Sequence, residues 1–174
     1  LAFLARCRAL VALRHPGIVP VLDAGHDGAV PYLVMTPVAG RPLGALDPAG
    51  RPGWLEVAAL VIEVARALDH AHSQGVIHGD LVPARVVVTP ERVLLTGFPT
   101  DLAAATVQAR GRSREAVAYT APEVFEGGLE RVSTEADQYA LGAIFFGLLC
   151  QRPPFDGPVE RIVAEAREDG PIPP

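Results

Sequence analysis

The feature that most constrains the fold is the uninterrupted apolar run from Tyr139 to Cys150. This run is too short for a transmembrane helix, which needs about 20 apolar residues to cross the hydrocarbon core. Ser133 and Thr134 precede it, and both are typical residues at the start of a helix. A helix that is apolar on every side must be enclosed by other elements. The pattern therefore predicts a buried central helix around which a domain assembles.

Composition narrows the functional classes. The chain has 174 residues, of which 49% are hydrophobic and 20% are charged, and this balance favours one folded domain over intrinsic disorder. A formal net charge of −5 argues against a nucleic-acid binder that works by neutralising phosphates. All 15 basic residues are arginines, and the chain contains neither lysine nor asparagine. Any reaction that needs a lysine amine or an asparagine amide must obtain that group from elsewhere.

Apolar periodicity and turn-forming residues predict the remaining elements. Helical spacing predicts three further helices, over residues 3–13, Leu55–Ser73 and Val159–Arg167. Short β-rich runs predict two antiparallel hairpins, one from Ile18–Leu22 and Tyr32–Met35, the other from Val86–Thr89 and Val93–Thr96. The turn of the first hairpin is expected over Asp23–Gly28. Loops are expected over residues 37–53, which are rich in Gly and Pro, and over residues 99–118, which show little periodicity.

The two cysteines, Cys7 and Cys150, lie far apart, and neither belongs to a Cys-x-x-Cys pair. We expect both thiols to be reduced and buried, and we expect no metal site, since metal-ligand spacing is absent. Reduced thiols are typical of cytoplasmic proteins. The chain begins within a helical pattern at Leu1, so we expect it to be a piece of a longer protein, which could be anchored in a membrane.

Short motifs follow one another along the chain in a fixed order. The first three are Leu13–Val19, Tyr32–Met35 and His78–Leu81, and the others are Thr96–Pro99, Tyr119–Glu123, Asp137–Gly142 and Arg152–Phe155. In this order and spacing they resemble the bacterial serine/threonine protein kinases. His78–Leu81 stands where that family has its catalytic loop, His-Arg-Asp-Leu, and Thr96–Pro99 stands at its Asp-Phe-Gly motif. Tyr119–Glu123 carries the Ala-Pro-Glu sequence of the family.

The resemblance implies an α+β fold, mainly α-helical, of the protein-kinase type. Residues 1–37 resemble a remnant of the small β lobe, namely the end of helix C, two strands and the hinge. Residues 38–174 resemble the large lobe without its last helices. We therefore expect an incomplete kinase domain, which lacks the glycine-rich loop and the strand that bears the phosphate-binding lysine.

Phosphoryl transfer depends on positioning and on neutralising phosphate charge. The resemblance implies a Glu in helix C, a Lys and a metal-binding Asn in the catalytic loop, and a metal-binding Asp after it. This chain has Arg6, Val82, Arg85 and Gly97, respectively, at those positions. Arg85 places a permanent positive charge where Mg²⁺ would lie, because a guanidinium does not deprotonate at neutral pH. Asp80 remains at the position of the catalytic base, and we expect it to be non-functional and no metal to be bound.

The resemblance also places the hinge after Tyr32–Met35. The carbonyl of Thr36 and the amide of Val38 would be its contacts with an adenine, and we expect them to hold a nucleotide weakly. No cofactor is expected, and ATP and Mg²⁺ would be used only if the chain were an active kinase. His78 and Phe98 are expected to pack with Leu10 in the buried column between the lobes.

Three functions compete for this sequence. The first is a pseudokinase, a binding or regulatory module with protein partners in bacterial signalling and without contact to nucleic acid or membrane. The second is an active serine/threonine kinase, but Arg85 and Gly97 lie within the chain, so added sequence cannot restore those groups. The third is a small-molecule phosphotransferase of the aminoglycoside type, whose loop has the His-Gly-Asp order of residues 78–80. The Ala-Pro-Glu sequence argues against that alternative, and the first function is favoured.

Overall fold

The computed structural model describes residues 2–28, 30–45, 53–99 and 114–168. Its helices are α1 (Ala2–Ala12), α2 (Trp54–Ser73), α3 (Arg114–Val117), α4 (Pro122–Gly127), α5 (Thr134–Cys150) and α6 (Val159–Glu168). Its strands are β1 (Val21–Asp27), β2 (Val30–Met35), β3 (Arg41–Pro42), β4 (Val86–Val88) and β5 (Val93–Leu95). Short 3-10 turns occupy Leu43–Ala45, Pro83–Arg85 and Gly128–Arg131.

The strands form two small antiparallel sheets. In the first sheet β1 pairs with β2, with Val21 opposite Met35 and Asp27 opposite Val30. In the second sheet the order is β3-β4-β5. The segment after α1 joins this second sheet, because the backbone N–H of Val19 donates to the carbonyl of Leu95 over 2.9 Å. The end of α1 is therefore held beside β5 and the loop that follows β5.

The core lies between α2 and α5 and extends to α1 and the second sheet. Leu10, Val64, Leu95 and Ile144 belong to one buried cluster and are each 1% exposed. This confirms the central apolar helix, which runs over Thr134–Cys150. Ser133 caps it by accepting a hydrogen bond from the backbone N–H of Ala136.

One side of α5 departs from the expectation of complete enclosure. Phe145 and Leu149 are 36% and 46% exposed, because the described elements pack on the side that carries Ala140 and Ile144. Cys150 shares this partial exposure, so the expectation that both cysteines are buried was right for Cys7 and wrong for Cys150. Both thiols are free. No helix in the described ranges is long and apolar enough to cross a membrane.

The predicted helices and hairpins are present, although the first strand runs over Val21–Asp27 and not over Ile18–Leu22. Three expected irregular segments differ. The loop expected over residues 37–53 contains β3 and the 3-10 turn Leu43–Ala45. The turn expected over Asp23–Gly28 is shorter, because β1 continues through Asp27 in register with β2. Gly28, with φ of +60°, makes the tight turn instead. Residues 100–113 of the expected loop over 99–118 lie outside the described residues, and Arg114–Val117 forms the short helix α3.

Candidate functional site

The loop His78–Leu81 is positioned by α5. Asp137, in the first turn of α5 and 1% exposed, accepts hydrogen bonds from the backbone N–H groups of His78 and Gly79, each at 2.7 Å. Nε2 of His72, near the end of α2, lies 2.8 Å from the same carboxylate. One buried carboxylate thus fixes two consecutive amides of this loop and ties them to both long helices. Hydrogen bonds to an ionised acceptor are stronger than those between neutral groups.

Asp80 forms an ion pair with Arg85. Nη2 of Arg85 donates to Oδ2 of Asp80 over 3.2 Å, and the side chains of Arg85 and Asp80 are 44% and 17% exposed. Arg85 ends the 3-10 turn Pro83–Arg85, and its carbonyl accepts a hydrogen bond from the N–H of Thr96 at 2.9 Å. Arg85 therefore contacts both the loop that carries Asp80 and the segment that follows β5.

Gly97 lies against the side chain of Arg85. Its φ is +80°, in the left-handed region that favours glycine. A Cβ at this position would overlap Cδ of Arg85 and lie 2.9 Å from both Nε and Nη1. The guanidinium thus fills the space into which any side chain at position 97 would have to project.

Arg6 reaches from α1 across to the same region. Its Nε donates to the carbonyl of Pro99 over 2.7 Å, and its Nη2 donates to the carbonyl of Ile77 over 2.8 Å. Ile77 directly precedes the loop His78–Leu81, and Pro99 is the last residue of the motif Thr96–Pro99. Arg6 therefore joins α1 to both loops through backbone contacts.

His78 is a packing residue with defined hydrogen bonds. The centroid of its ring lies 4.5 Å from that of Phe98, as expected for these two residues, and Phe98 and Leu10 belong to the same buried cluster. Nδ1 accepts a hydrogen bond from the N–H of Asp80, and Nε2 lies 3.0 Å from the carbonyl of Thr96. This pattern requires the neutral ring with its proton on Nε2. Burial, the largest effect, lowers the pKa of His78, and the charges of Asp137 and Asp80 oppose it.

The residues expected at the hinge follow β2, whose last residue, Met35, accepts a hydrogen bond through its sulfur from the hydroxyl of Thr96 over 3.8 Å. Thr36 and Val38 line a cavity of about 410 Å³ together with Ile18, Leu94 and Arg92. Asp80, Arg85 and Gly97 do not line that cavity. Val82 is partly buried and packs against the core. Arg6, Asp80, Arg85 and Gly97 therefore lie at the loops His78–Leu81 and Thr96–Pro99. They do not line the cavity that contains Thr36 and Val38.

Two functional contacts were missed by the sequence analysis. Asp137 was recognised only as part of a motif, and its role in holding the loop was not inferred. Arg6 was interpreted as a lost glutamate, although its spacing from Leu10 places both on one helix face. Because Arg6 shares a helix face with the buried Leu10, the sequence already indicated that its side chain points inward.

The described residues contain no group of three or more His, Cys, Asp or Glu side chains that could hold a metal ion. Among the described residues, the guanidinium of Arg85 is a charged partner of Asp80. A guanidinium offers donors and no lone pair for a metal. The residues at these positions therefore do not fit a divalent metal.

Comparison with known proteins identifies the fold and the family. A family described as "Protein kinase domain" matches residues 3–170. The chain is a member of the protein kinase family. The expectations of a kinase-type fold and of a resemblance to bacterial serine/threonine kinases are thereby confirmed.

Curated relatives and solved structures agree with this family. The chain is 36% identical to the DNA damage-responsive serine/threonine-protein kinase RqkA of Deinococcus radiodurans, over 98% of this chain and 26% of RqkA. It is 33% identical to PknA of Mycobacterium tuberculosis, over 99% of this chain and 42% of PknA. The crystal structure of the Mycobacterium tuberculosis PknI kinase domain matches with a TM-score of 0.71 and 31% identity, over 96% of this chain and 64% of that chain.

Proposed function

We propose that this chain is a pseudokinase module, which has the fold of the family and does not transfer phosphate from Mg-ATP. The observation that carries this proposal is the ion pair between Arg85 and Asp80 beside Gly97. The family uses ATP with metal ions bound between the phosphates and two side chains of these loops. Here one of those positions holds a cation and the other holds no side chain.

The remaining carboxylate does not replace the missing groups. Asp80 stands at the position of the catalytic base, and a base alone contributes little when the phosphate charge is not neutralised. One of its carboxylate oxygens already accepts a hydrogen bond from the guanidinium of Arg85. We therefore assign Asp80 a local structural role and no catalytic one.

Arg6 supports the same proposal. In the family a helix C glutamate holds the phosphate-binding lysine, whereas Arg6 donates to the carbonyls of Ile77 and Pro99. An arginine engaged in this way repels a lysine instead of holding it. The chain itself contains no lysine. These contacts favour a helix that is fixed to the loops for structural reasons.

The proposed biological role is that of a binding or regulatory module for a protein partner in bacterial signalling. We propose that residues 1–37 correspond to the small-lobe part and residues 38–174 to the large-lobe part of this module. Thr36 and Val38 would then hold an adenine weakly and without metal. A module that keeps the fold and loses the reaction can act only through what it binds.

A phosphotransfer assay tests the proposal. The protein, as its gene encodes it, is incubated with radiolabelled ATP, Mg²⁺ or Mn²⁺ and a general acceptor protein, beside the Asp80→Asn variant. We expect equal, background incorporation in both samples. Incorporation by the natural protein above that of Asp80→Asn would contradict the proposal and favour the active-kinase alternative.

A further inference from the structure

We infer that Arg85 is a built-in cation that takes the place of a divalent metal between the two loops. We also infer that Arg85 can occupy this position only because residue 97 is a glycine. The inference deepens the proposed function, on which it rests for the meaning of these positions. Beyond the loss of two metal ligands, Arg85 then has a positioning role of its own. The identities of residues 85 and 97 then depend on each other.

The charge part of the inference follows from the ion pair. The Arg85 guanidinium lies 3.2 Å from Oδ2 of Asp80, and Asp80 is only 17% exposed. A partly buried carboxylate needs a cation or hydrogen-bond donors nearby. Arg85 supplies both and is always charged. A metal ion that approached this carboxylate would meet the repulsion of the guanidinium.

The steric part follows from Gly97. A Cβ there would overlap Cδ of Arg85 and stand 2.9 Å from Nε and from Nη1. The overlap is with Cδ and the guanidinium, the outer part of a long side chain that is 44% exposed, so Arg85 has to move to make room for a Cβ. We therefore expect a side chain at position 97, an aspartate included, to displace Arg85 from the position in which it pairs with Asp80.

Arg85 also joins the loops as a metal would. Its side chain binds the loop of Asp80, its stem contacts Gly97, and its carbonyl binds Thr96. The three contacts belong to segments on either side of the β4–β5 hairpin. A single arginine thus holds together two loops that a metal ion and two acidic or amide side chains hold in an active kinase.

A double-mutant cycle in melting temperature tests the steric dependence. Gly97→Ala is compared in the natural protein and in Arg85→Ala, with Gly75→Ala as the matched control. Gly75 has φ of +71°, and a Cβ added to it would meet nothing within 4 Å, so its substitution reports backbone strain alone. We expect Gly97→Ala to lower the melting temperature at least twice as far as Gly75→Ala. In the Arg85→Ala background the two substitutions should have similar effects.

The charge part is tested with Mn²⁺ alone, through paramagnetic broadening of the amide NMR signals of residues 79–80 and 96–98. We expect broadening in the double variant Arg85→Asn and Gly97→Asp, and none in the natural protein. Equal effects of Gly97→Ala in both backgrounds, or the same response to Mn²⁺ in the natural protein and the double variant, would overturn the inference. Neither measurement involves phosphate transfer, so the proposed function can fail in its own assay while this inference holds.

Discussion

The backbone N–H of His78 donates a 2.7 Å hydrogen bond to Oδ2 of Asp137, which links the start of the central helix to the loop that carries Asp80. Asp137 lies in the first turn of α5, where a negative charge is favoured by the helix dipole. The same carboxylate accepts from Gly79 and contacts His72. The geometry of the candidate site therefore depends on α5 as well as on the loop.

We predict that Asp137→Asn destabilises the fold by about 2–4 kcal/mol, because an amide cannot accept from both loop N–H groups and leaves a buried donor unsatisfied. Urea unfolding measures this change. Asp69→Asn is the control, since it removes the same charge from an exposed position on α2, where surface substitutions usually change stability by less than about 0.5 kcal/mol. Equal stability of the two variants would show that Asp137 does not hold the loop.

A second prediction concerns pH. Burial lowers the pKa of His78 below its ordinary value of 6.5, so below that pH the unfolded chain binds a proton that the folded chain does not. The contribution of His78 to the free energy of unfolding is therefore fully present well above pH 6.5 and is lost as the pH decreases. We expect the unfolding free energy to be lower at pH 5.5 than at pH 7 because of this residue.

Urea unfolding at the two pH values measures that loss, and His78→Gln identifies its source. Protonation of Nδ1 would also remove the acceptor of the Asp80 N–H, so the direction agrees with the geometry. The pKa of His15 is lowered as well, first by burial and then by the neighbouring His70, and it acts in the same direction. A profile that is equally steep in His78→Gln would assign the effect to other groups.

The sequence was sufficient for the central helix, α2 and the two hairpins, because their apolar periodicity and turn residues depend only on local order. It was also sufficient to identify the substituted positions, including Arg85 and Gly97. What those residues contact could not be derived, because the close approach of Arg85 to Gly97 depends on how the β4–β5 hairpin returns the chain. The exposure of Phe145 likewise depends on which elements pack beside α5.

Arg6 gives a third prediction. Arg6→Met should destabilise the fold by about 1–3 kcal/mol, because the carbonyls of Ile77 and Pro99 lose a charged donor. Arg6→Glu should be worse, since a carboxylate would face two carbonyl oxygens. Arg8→Met, at an exposed position of the same helix, is the control. Unfolding in urea gives the stabilities, and hydrogen exchange should be faster in α1. A stable Arg6→Glu variant would contradict the contacts described.

The central helix gives a fourth prediction. Ile144 is 1% exposed, so Ile144→Asp buries an unpaired carboxylate and should cost several kcal/mol, out of a total stability of about 5–15 kcal/mol. Leu149→Asp is the control on the same helix, at a position that is 46% exposed. Circular dichroism during thermal unfolding distinguishes them. We expect Ile144→Asp to lose its cooperative transition and Leu149→Asp to keep it.

The last prediction is that Mg-ATP does not raise the melting temperature. A ligand at 100 times its dissociation constant stabilises a fold by about 2.7 kcal/mol, and in a domain of this size each kcal/mol corresponds to about 2–4 °C. A working kinase pocket in millimolar Mg-ATP should therefore melt several degrees higher. Here Arg85 and Gly97 offer nothing to the metal, and the chain has no lysine for the phosphates.

Thermal melting is measured with ATP and Mg²⁺, with ATP and EDTA, with adenosine, and with Mg²⁺ alone. We expect small and equal shifts, if any, with the two ATP mixtures and adenosine, because contacts through Thr36 and Val38 would need no metal. A shift of several degrees with Mg-ATP that disappears in EDTA would mean that metal-bound nucleotide is held by other groups. In that case the pseudokinase proposal would lose its main support, since the guanidinium of Arg85 would not exclude the metal.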